Sequence, residues 1–262
     1  MKLFRGFADN ESFFFRLSDD GTAEKAILDP EYPGYLNVSH FEDLASAPKL
    51  LPCVEPSKIV CVGRNYAAHA EELGNELPSK PLLFLKAPSS VISNGDSISL
   101  PRQSELVEHE GELGIVIGRK ASKLADDVSP DDYIFGYTCL NDVTARDLQR
   151  ADIQFTRSKS FDTFCPVGPY IETELDTKDV TVEVFVNGQK KQSGRTSQMV
   201  FDIPYLLRYI SNQMTLLPGD LIATGTPSGV SKLNPGDICE VTIEGIGTLK
   251  NPVEQTVSKR RI

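Results

Sequence analysis

The stretch His109-Glu110-Gly111-Glu112-Leu113-Gly114-Ile115-Val116-Ile117-Gly118 decides how this chain is read. In an extended strand, successive side chains point to opposite faces. Leu113, Ile115 and Ile117 then share one face, while Glu110, Glu112 and Val116 share the other, with glycines at 114 and 118. Both faces of the later half are apolar or tiny, so the strand is expected to be covered on both sides. Two carboxylates two residues apart stand about 7 Å apart along one face. Near a core that pairing is costly unless a cation neutralises it. The plainer alternative is a strand end whose glutamates face water, and the pattern alone leaves both open.

A third acid closes the apolar segment Gly136-Tyr137-Thr138-Cys139-Leu140-Asn141-Asp142, before a helical turn over Thr144 to Gln149. An aspartate there is also an ordinary helix cap. Three oxygen ligands without histidine or cysteine would suit Mg²⁺ or Mn²⁺, with waters completing an octahedron.

Around this strand the chain is mostly β with some α. Ile59 to Gly63, Leu82 to Leu85, Val180 to Val186, Asp220 to Thr224 and Ile238 to Ile243 read as further strands. Val186-Asn187-Gly188-Gln189 reads as a type I′ hairpin turn, since Asn-Gly accepts positive φ at both central positions. Helices are expected at Asn65 to Leu73 and at Ile203 to Ile210, the latter capped by Asp202 with Pro204 in its first turn. Helices do not alternate with strands, which favours a mixed-β core over a doubly wound sheet. Residues 1–55 read as a small N-terminal β-rich unit and linker, and 56–262 as the main domain. The first part has phenylalanines at 4, 7, 13, 14 and 15 and turn clusters at Asp19-Asp20-Gly21 and Pro30 to Gly34, with Leu51 to Ser57 as the linker.

The 262 residues are 40% hydrophobic and 24% charged, an ordinary globular composition. A formal net charge of −10 argues against nucleic acid or an anionic membrane as partner, and Lys259-Arg260-Arg261 is too short to reverse it. No apolar run is long enough to span a bilayer, and the start has no secretory h-region, so a cytoplasmic protein is expected. Five scattered cysteines without a CxxC pair read as small buried hydrophobes in a reducing compartment.

Several segments together resemble the fumarylacetoacetate hydrolase family, in the family's order. They are Gly63-Arg64-Asn65-Tyr66-Ala67-Ala68-His69, Leu83-Phe84-Leu85-Lys86, His109 to Leu113 and Asn141-Asp142-Val143-Thr144-Ala145-Arg146-Asp147. Ser158-Lys159-Ser160-Phe161-Asp162 and Thr224-Gly225-Thr226-Pro227-Ser228-Gly229-Val230 complete the set, which spans roughly Ser57 to Val253. The resemblance implies a rolled mixed β-sheet, usually in a homodimer, with Mg²⁺ or Mn²⁺ held by Glu110, Glu112 and Asp142.

It also assigns roles. His69 and Glu72, three residues apart on a predicted helix, would form a water-activating pair on a lid, because a carboxylate beside imidazole raises its basicity. Glu71 lies on a different helical face. Lys159 would act at the reacting centre, with Lys86, Arg64, Gln149 and Thr226 binding a small anionic 2-oxo acid. The glycine-rich loop around Thr226 would offer backbone N–H groups to its carboxylate.

The implied activity is hydrolysis of a C–C bond in an acylpyruvate-type 2,4-dioxo acid through a metal-stabilised enolate. The same intermediate serves an oxaloacetate decarboxylase and a 2-hydroxyhepta-2,4-diene-1,7-dioate isomerase, both within the family. A non-catalytic metal-binding protein is the alternative of another class.

Overall fold

The computed structural model describes residues 1–8, 10–18, 20, 22–28, 38–44 and 48–256. Asp19 and Gly21 of the first expected turn, the whole of Pro30 to Gly34, and Lys259-Arg260-Arg261 lie outside the described residues.

The acidic strand runs from Gly111 to Ile117, and every residue in it is buried. It lies between Ile134–Asn141 and Leu221–Ala223, antiparallel to both. Beyond Leu221–Ala223 the sheet continues with Ile59–Gly63, in parallel, and ends at Leu82–Lys86. In the other direction it passes through Cys165–Glu172 to Lys2–Ala8. A meander of Glu11–Leu17, Ala23–Leu28 and Val38–Asp43 then completes a twelve-stranded sheet that includes two short side strands. Five further strands form a second sheet in the order Gln189–Arg195, Thr181–Val186, Ile238–Ile243, Gly247–Gln255, Ile98–Leu100. The structure is thus a mixed-β fold with few helices, as the strand pattern implied.

Alternation along the acidic strand divides the core. Leu113, Ile115 and Ile117 pack with Val182, Val184, Val241 and Ile243 of the second sheet and with Leu206, Leu207 and Ile210 of a helix. Val116 joins Ile59, Cys61, Leu140 and Val167 on the opposite face. Full burial of such aliphatic side chains stabilises by roughly 1.5–3 kcal/mol each. That is enough to hold the strand inside although its first turn of sequence carries charge. Gly111 has a packing reason as well: a Cβ there would lie 2.2 Å from Val184 Cγ2. A residue with a side chain would push the two sheets apart.

The helix at Ile203–Gln213 begins as expected, with Asp202 accepting from Tyr205 N at 2.8 Å, and runs three residues further than its apolar face indicated. The other helix is shorter than Asn65 to Leu73, covering Ala67–Glu72. Tyr66 is extended (φ −126°, ψ 126°), and the Asn65 amide is taken up by Thr224 O at 2.7 Å and Phe201 O at 3.0 Å. Asn187 and Gly188 both have positive φ, 53° and 75°, matching the expected turn.

The phenylalanine-rich start forms Lys2–Ala8 and the adjoining first meander strand, Glu11–Leu17, with Phe4 opposite Phe15. Lys2 pairs with Glu172 and Leu3 with Ile171, so the meander is hydrogen-bonded into the main sheet. Residues 51–57 have no regular structure, yet Cys53, Val54 and Pro56 are buried. All five cysteines are buried and free. Among the described residues no helix is long and apolar enough to cross a membrane.

Candidate metal centre

Antiparallel register assembles the three acids. Gly111 pairs with Asn141 and Glu112 with Leu140, which sets the start of the acidic strand beside the end of its neighbour. Asp142 N donates to Glu110 O at 2.8 Å and fixes the junction. One carboxylate oxygen from each of Glu110, Glu112 and Asp142 lies within 4.8 Å of the others. The residues are 4, 3 and 0% exposed, so the glutamates do not face bulk water. Asp142 is not a helix cap either, because Ala145 occupies the N-cap of the helix Arg146–Ala151. Three buried, converging carboxylates are a hard-oxygen donor set, and they fit a small divalent cation such as Mg²⁺ or Mn²⁺.

Buried cations stand against these acids. Lys159 Nζ donates to Glu110 Oε2 at 2.6 Å and to Asp142 Oδ2 at 2.7 Å. Lys86 Nζ donates to Asp142 Oδ1 at 2.6 Å and to Val143 O at 3.1 Å. Arg146 pairs with Glu110 through Nη2 and with Glu108 through Nε, the latter at 2.7 Å. Four carboxylates, counting Glu108, thus meet three cations, leaving one formal negative charge. A dication would turn that balance positive and favour an anionic ligand.

Among the described residues Glu112 is the acid of the three without an ammonium or guanidinium partner; its Oε2 accepts from Gly225 N at 2.7 Å. Burial lifts its carboxyl well above the usual carboxylate range, and the Asp142 and Glu110 carboxylates add to the effect. At Glu110 burial pushes the same way, but Lys159 and Arg146 outweigh it and hold the carboxyl below that range.

An acid whose folded pKa is raised stabilises the fold in its protonated form. That contribution is complete below the ordinary value of 4.5 and is lost as pH rises through the folded value. Between those values a cation binding at Glu112 must displace a proton. Calorimetric titration with Mn²⁺ in two buffers of different ionisation enthalpy is expected to show proton release, and Mn²⁺ affinity is expected to rise with pH. Equal heats in both buffers would contradict it.

The triad lies at the base of a cavity of about 260 Å³. Eight of the ten expected site residues line it: Arg64, His69, Glu110, Glu112, Asp142, Gln149, Lys159 and Thr226. Lys86 does not; it is 1% exposed and touches Asp142 rather than the cavity. Glu72 also stands back. Its two oxygens accept from Gly229 N at 2.9 and 3.1 Å, and one lies 3.2 Å from His69 Nδ1. The Thr226 hydroxyl donates to Gly111 O at 2.8 Å and accepts from Gln192 Nε2 at 2.7 Å, so its bonds serve the scaffold. Gly225 N likewise serves Glu112. Gln149 is held by Arg146 Nη1 at 2.6 Å.

Arg146 and Arg150 also line the cavity, and sequence reasoning did not assign them. Arg146 was visible, since it falls inside the matched stretch Asn141 to Asp147; Arg150 lies just beyond it. Gly225 could be found only as the backbone donor it is.

Residues 58–254 match the family model for the fumarylacetoacetate (FAA) hydrolase C-terminal domain. A mitochondrial oxaloacetate decarboxylase of Dictyostelium discoideum is 48% identical over 198 residues, covering 73% of this chain and 90% of that protein. Oxaloacetate tautomerase YisK of Bacillus subtilis is 43% identical over 216 residues, covering 77% and 71%. Among solved structures, a 5-carboxymethyl-2-hydroxymuconate delta-isomerase from Mycobacterium smegmatis superposes with a TM-score of 0.84 at 42% identity, covering 98% of this chain and all of that one.

Proposed function

Because the chain belongs to the fumarylacetoacetate hydrolase family, we propose that it is a divalent-metal enzyme acting on a small 2-oxo dicarboxylic acid of the oxaloacetate type. The observation that carries this reading is the buried convergence of Glu110, Glu112 and Asp142 at the base of a cavity that also holds His69 and two uncommitted arginines. The metal is Mg²⁺ or Mn²⁺, and the active form is a homodimer; light scattering of the purified protein tests the latter. A bound dication supplies Lewis-acid stabilisation of negative charge on the substrate's 2-oxo oxygen.

The chain's own groups do the rest. Arg64 and Arg150 line the cavity, and neither forms an ion pair among the described residues, so both can meet the far carboxylate of a dicarboxylic substrate. Lys159, locked between Glu110 and Asp142, keeps those carboxylates aimed and adds positive charge at the cavity floor. His69 donates from Nδ1 to Glu72, which leaves Nε2 to accept a proton. With oxaloacetate that proton comes from C3, the step common to keto–enol exchange. The oxaloacetate names of relatives 43–48% identical support this choice of substrate.

Hydrolysis of an acylpyruvate is the second reading. The His69–Glu72 pair favours it, since the same base could take a proton from water instead of from carbon.

The test is a side-by-side assay with Mg²⁺ or Mn²⁺ on oxaloacetate, acetylpyruvate, fumarylpyruvate and a 2-hydroxy-dienedioate. It follows enol disappearance, CO₂ release and C–C cleavage separately. Oxaloacetate turnover is expected to exceed the others; faster cleavage of acetylpyruvate would install the hydrolase reading, and no turnover at all would remove both. His69→Ala is expected to lower kcat by about 10²–10⁴-fold while Mn²⁺ binding is retained. An unchanged rate takes His69 out of the mechanism.

A further inference from the structure

The strand Gln189–Arg195 reads Gln-Lys-Lys-Gln-Ser-Gly-Arg, without one apolar side chain, and sits at the edge of the five-stranded sheet. Yet Gln192 is 0% exposed. A buried amide is costly unless its donors and acceptors are all matched. Gln192 matches them: Oε1 accepts from Gly111 N at 3.1 Å and faces the buried His109, whose Nδ1 lies 2.9 Å away. Nε2 donates to Thr226 Oγ1 at 2.7 Å and to Pro227 O at 2.5 Å. The amide has one possible orientation, because a backbone N–H only donates and a carbonyl only accepts. His109 Nδ1 is then a donor, and its Nε2 accepts from Ser231 Oγ at 2.8 Å.

Three of these bonds close a ring. Thr226 Oγ1 donates to Gly111 O while accepting from Gln192, and Gln192 accepts from Gly111 N. The ring ties both the N–H and the C=O of Gly111, the residue between Glu110 and Glu112. The adjoining Gly225 N holds Glu112 itself at 2.7 Å. The polar strand is pressed onto this loop at two other points. A Cβ on Gly194 would lie 2.5 Å from Pro227 Cβ, and one on Gly229 would lie 2.1 Å from Lys191 O.

We infer that Gln192 is a positioning residue for the metal centre, locking the two peptide groups of Gly111 to the loop 225–229 and so fixing the directions of Glu110 and Glu112. The inference rests on the metal reading proposed above. Glycine has the freest backbone of any residue, and rotation of its peptide planes would swing both neighbouring carboxylates. The ring removes that freedom before a cation arrives, so binding does not have to supply the ordering.

The experiment is calorimetric titration of Mn²⁺ into the full-length protein without substrate, together with kcat at saturating Mn²⁺. Gln192→Met keeps the side-chain length and deletes the four bonds. It is expected to weaken Mn²⁺ binding about 10- to 100-fold and to leave kcat at saturating metal within about threefold of wild type. Thr226→Val breaks the ring at another member and should weaken binding similarly. Thr226→Ser retains the hydroxyl and should bind as wild type does. The double variant, Gln192→Met with Thr226→Val, should fall well short of the product of the single effects, because one ring is broken in each case. Gln189→Met, on the exposed part of the same strand, is the control.

A folded Gln192→Met that binds Mn²⁺ within about twofold of wild type overturns the inference. If Gln192→Met does not fold, the Thr226→Val and Thr226→Ser pair decides, and equal affinities overturn it. Wild-type protein that takes up neither Mn²⁺ nor Mg²⁺ would fail the metal reading itself, a result distinct from the other two.

Discussion

Glu112→Gln is expected to lower kcat/KM by at least about 10³-fold and, at the same time, to raise the unfolding midpoint of the metal-free protein. The two effects have one origin. Glu112 is buried among like charges, its hydrogen-bond partner among the described residues is Gly225 N, and burial together with Asp142 and Glu110 drives its carboxyl up. Glutamine keeps a carbonyl oxygen for Gly225 N and nearly the same volume, so folding loses little and sheds a charge conflict. On the proposed metal reading the cation, in contrast, loses one of three anionic ligands. Differential scanning fluorimetry in chelator, with and without added Mn²⁺, reads both halves. A midpoint that falls in chelator would show that the ionised Glu112 carboxylate stabilises the metal-free fold, and would overturn this account.

Lys159→Met should act in the opposite sense. Lys159 Nζ bridges Glu110 and Asp142, and its side chain is 2% exposed. Burial alone would pull the ammonium pKa down, but Asp142 and Glu110 outweigh that and raise it. Deleting one partner of a buried ion pair leaves uncompensated charge and costs about 3–5 kcal/mol. For a chain of this size that lowers the midpoint by on the order of 10 °C. Saturating Mn²⁺ should recover part of the loss, because a dication neutralises the same oxygens. Lys190→Met removes an exposed pair with Glu183 and should shift the midpoint by no more than about 1–2 °C. Equal shifts for the two lysines would mean that burial does not govern the energetics of the site.

What could be read in advance follows the range of each interaction. The acidic strand was legible because alternation is local: Leu113, Ile115 and Ile117 went to one core and Val116 to the other. Asp202 was legible because a cap is a bond three residues long. The first helix was read too long because Asn65 bonds to Thr224 and Phe201, partners more than a hundred residues away. Lys159 sits on the four-residue helix Thr156–Lys159, too short to show a period, and only family likeness singled it out. The pairing of Lys2–Ala8 with Cys165–Glu172 crosses most of the chain and leaves no local trace. Gln192 was hidden for a different reason. Its neighbours are all polar, so hydropathy marks its strand as surface, while its amide is spent inside.

The five buried cysteines give the molecule a clock. Burial pushes the thiols of Cys53, Cys139, Cys165 and Cys239 up to about 12, and that of Cys61 well above its ordinary value. A thiol that is both shielded and protonated does not react with alkylating reagents at neutral pH. Each label acquired therefore records an opening event, and the five positions time different parts of the chain. Cys53 reports on the packed segment 51–57, Cys239 on the second sheet, and Cys61 on the strand that leads to the His69 helix. The order in which they become labelled under mild denaturation is the order in which the protein comes apart.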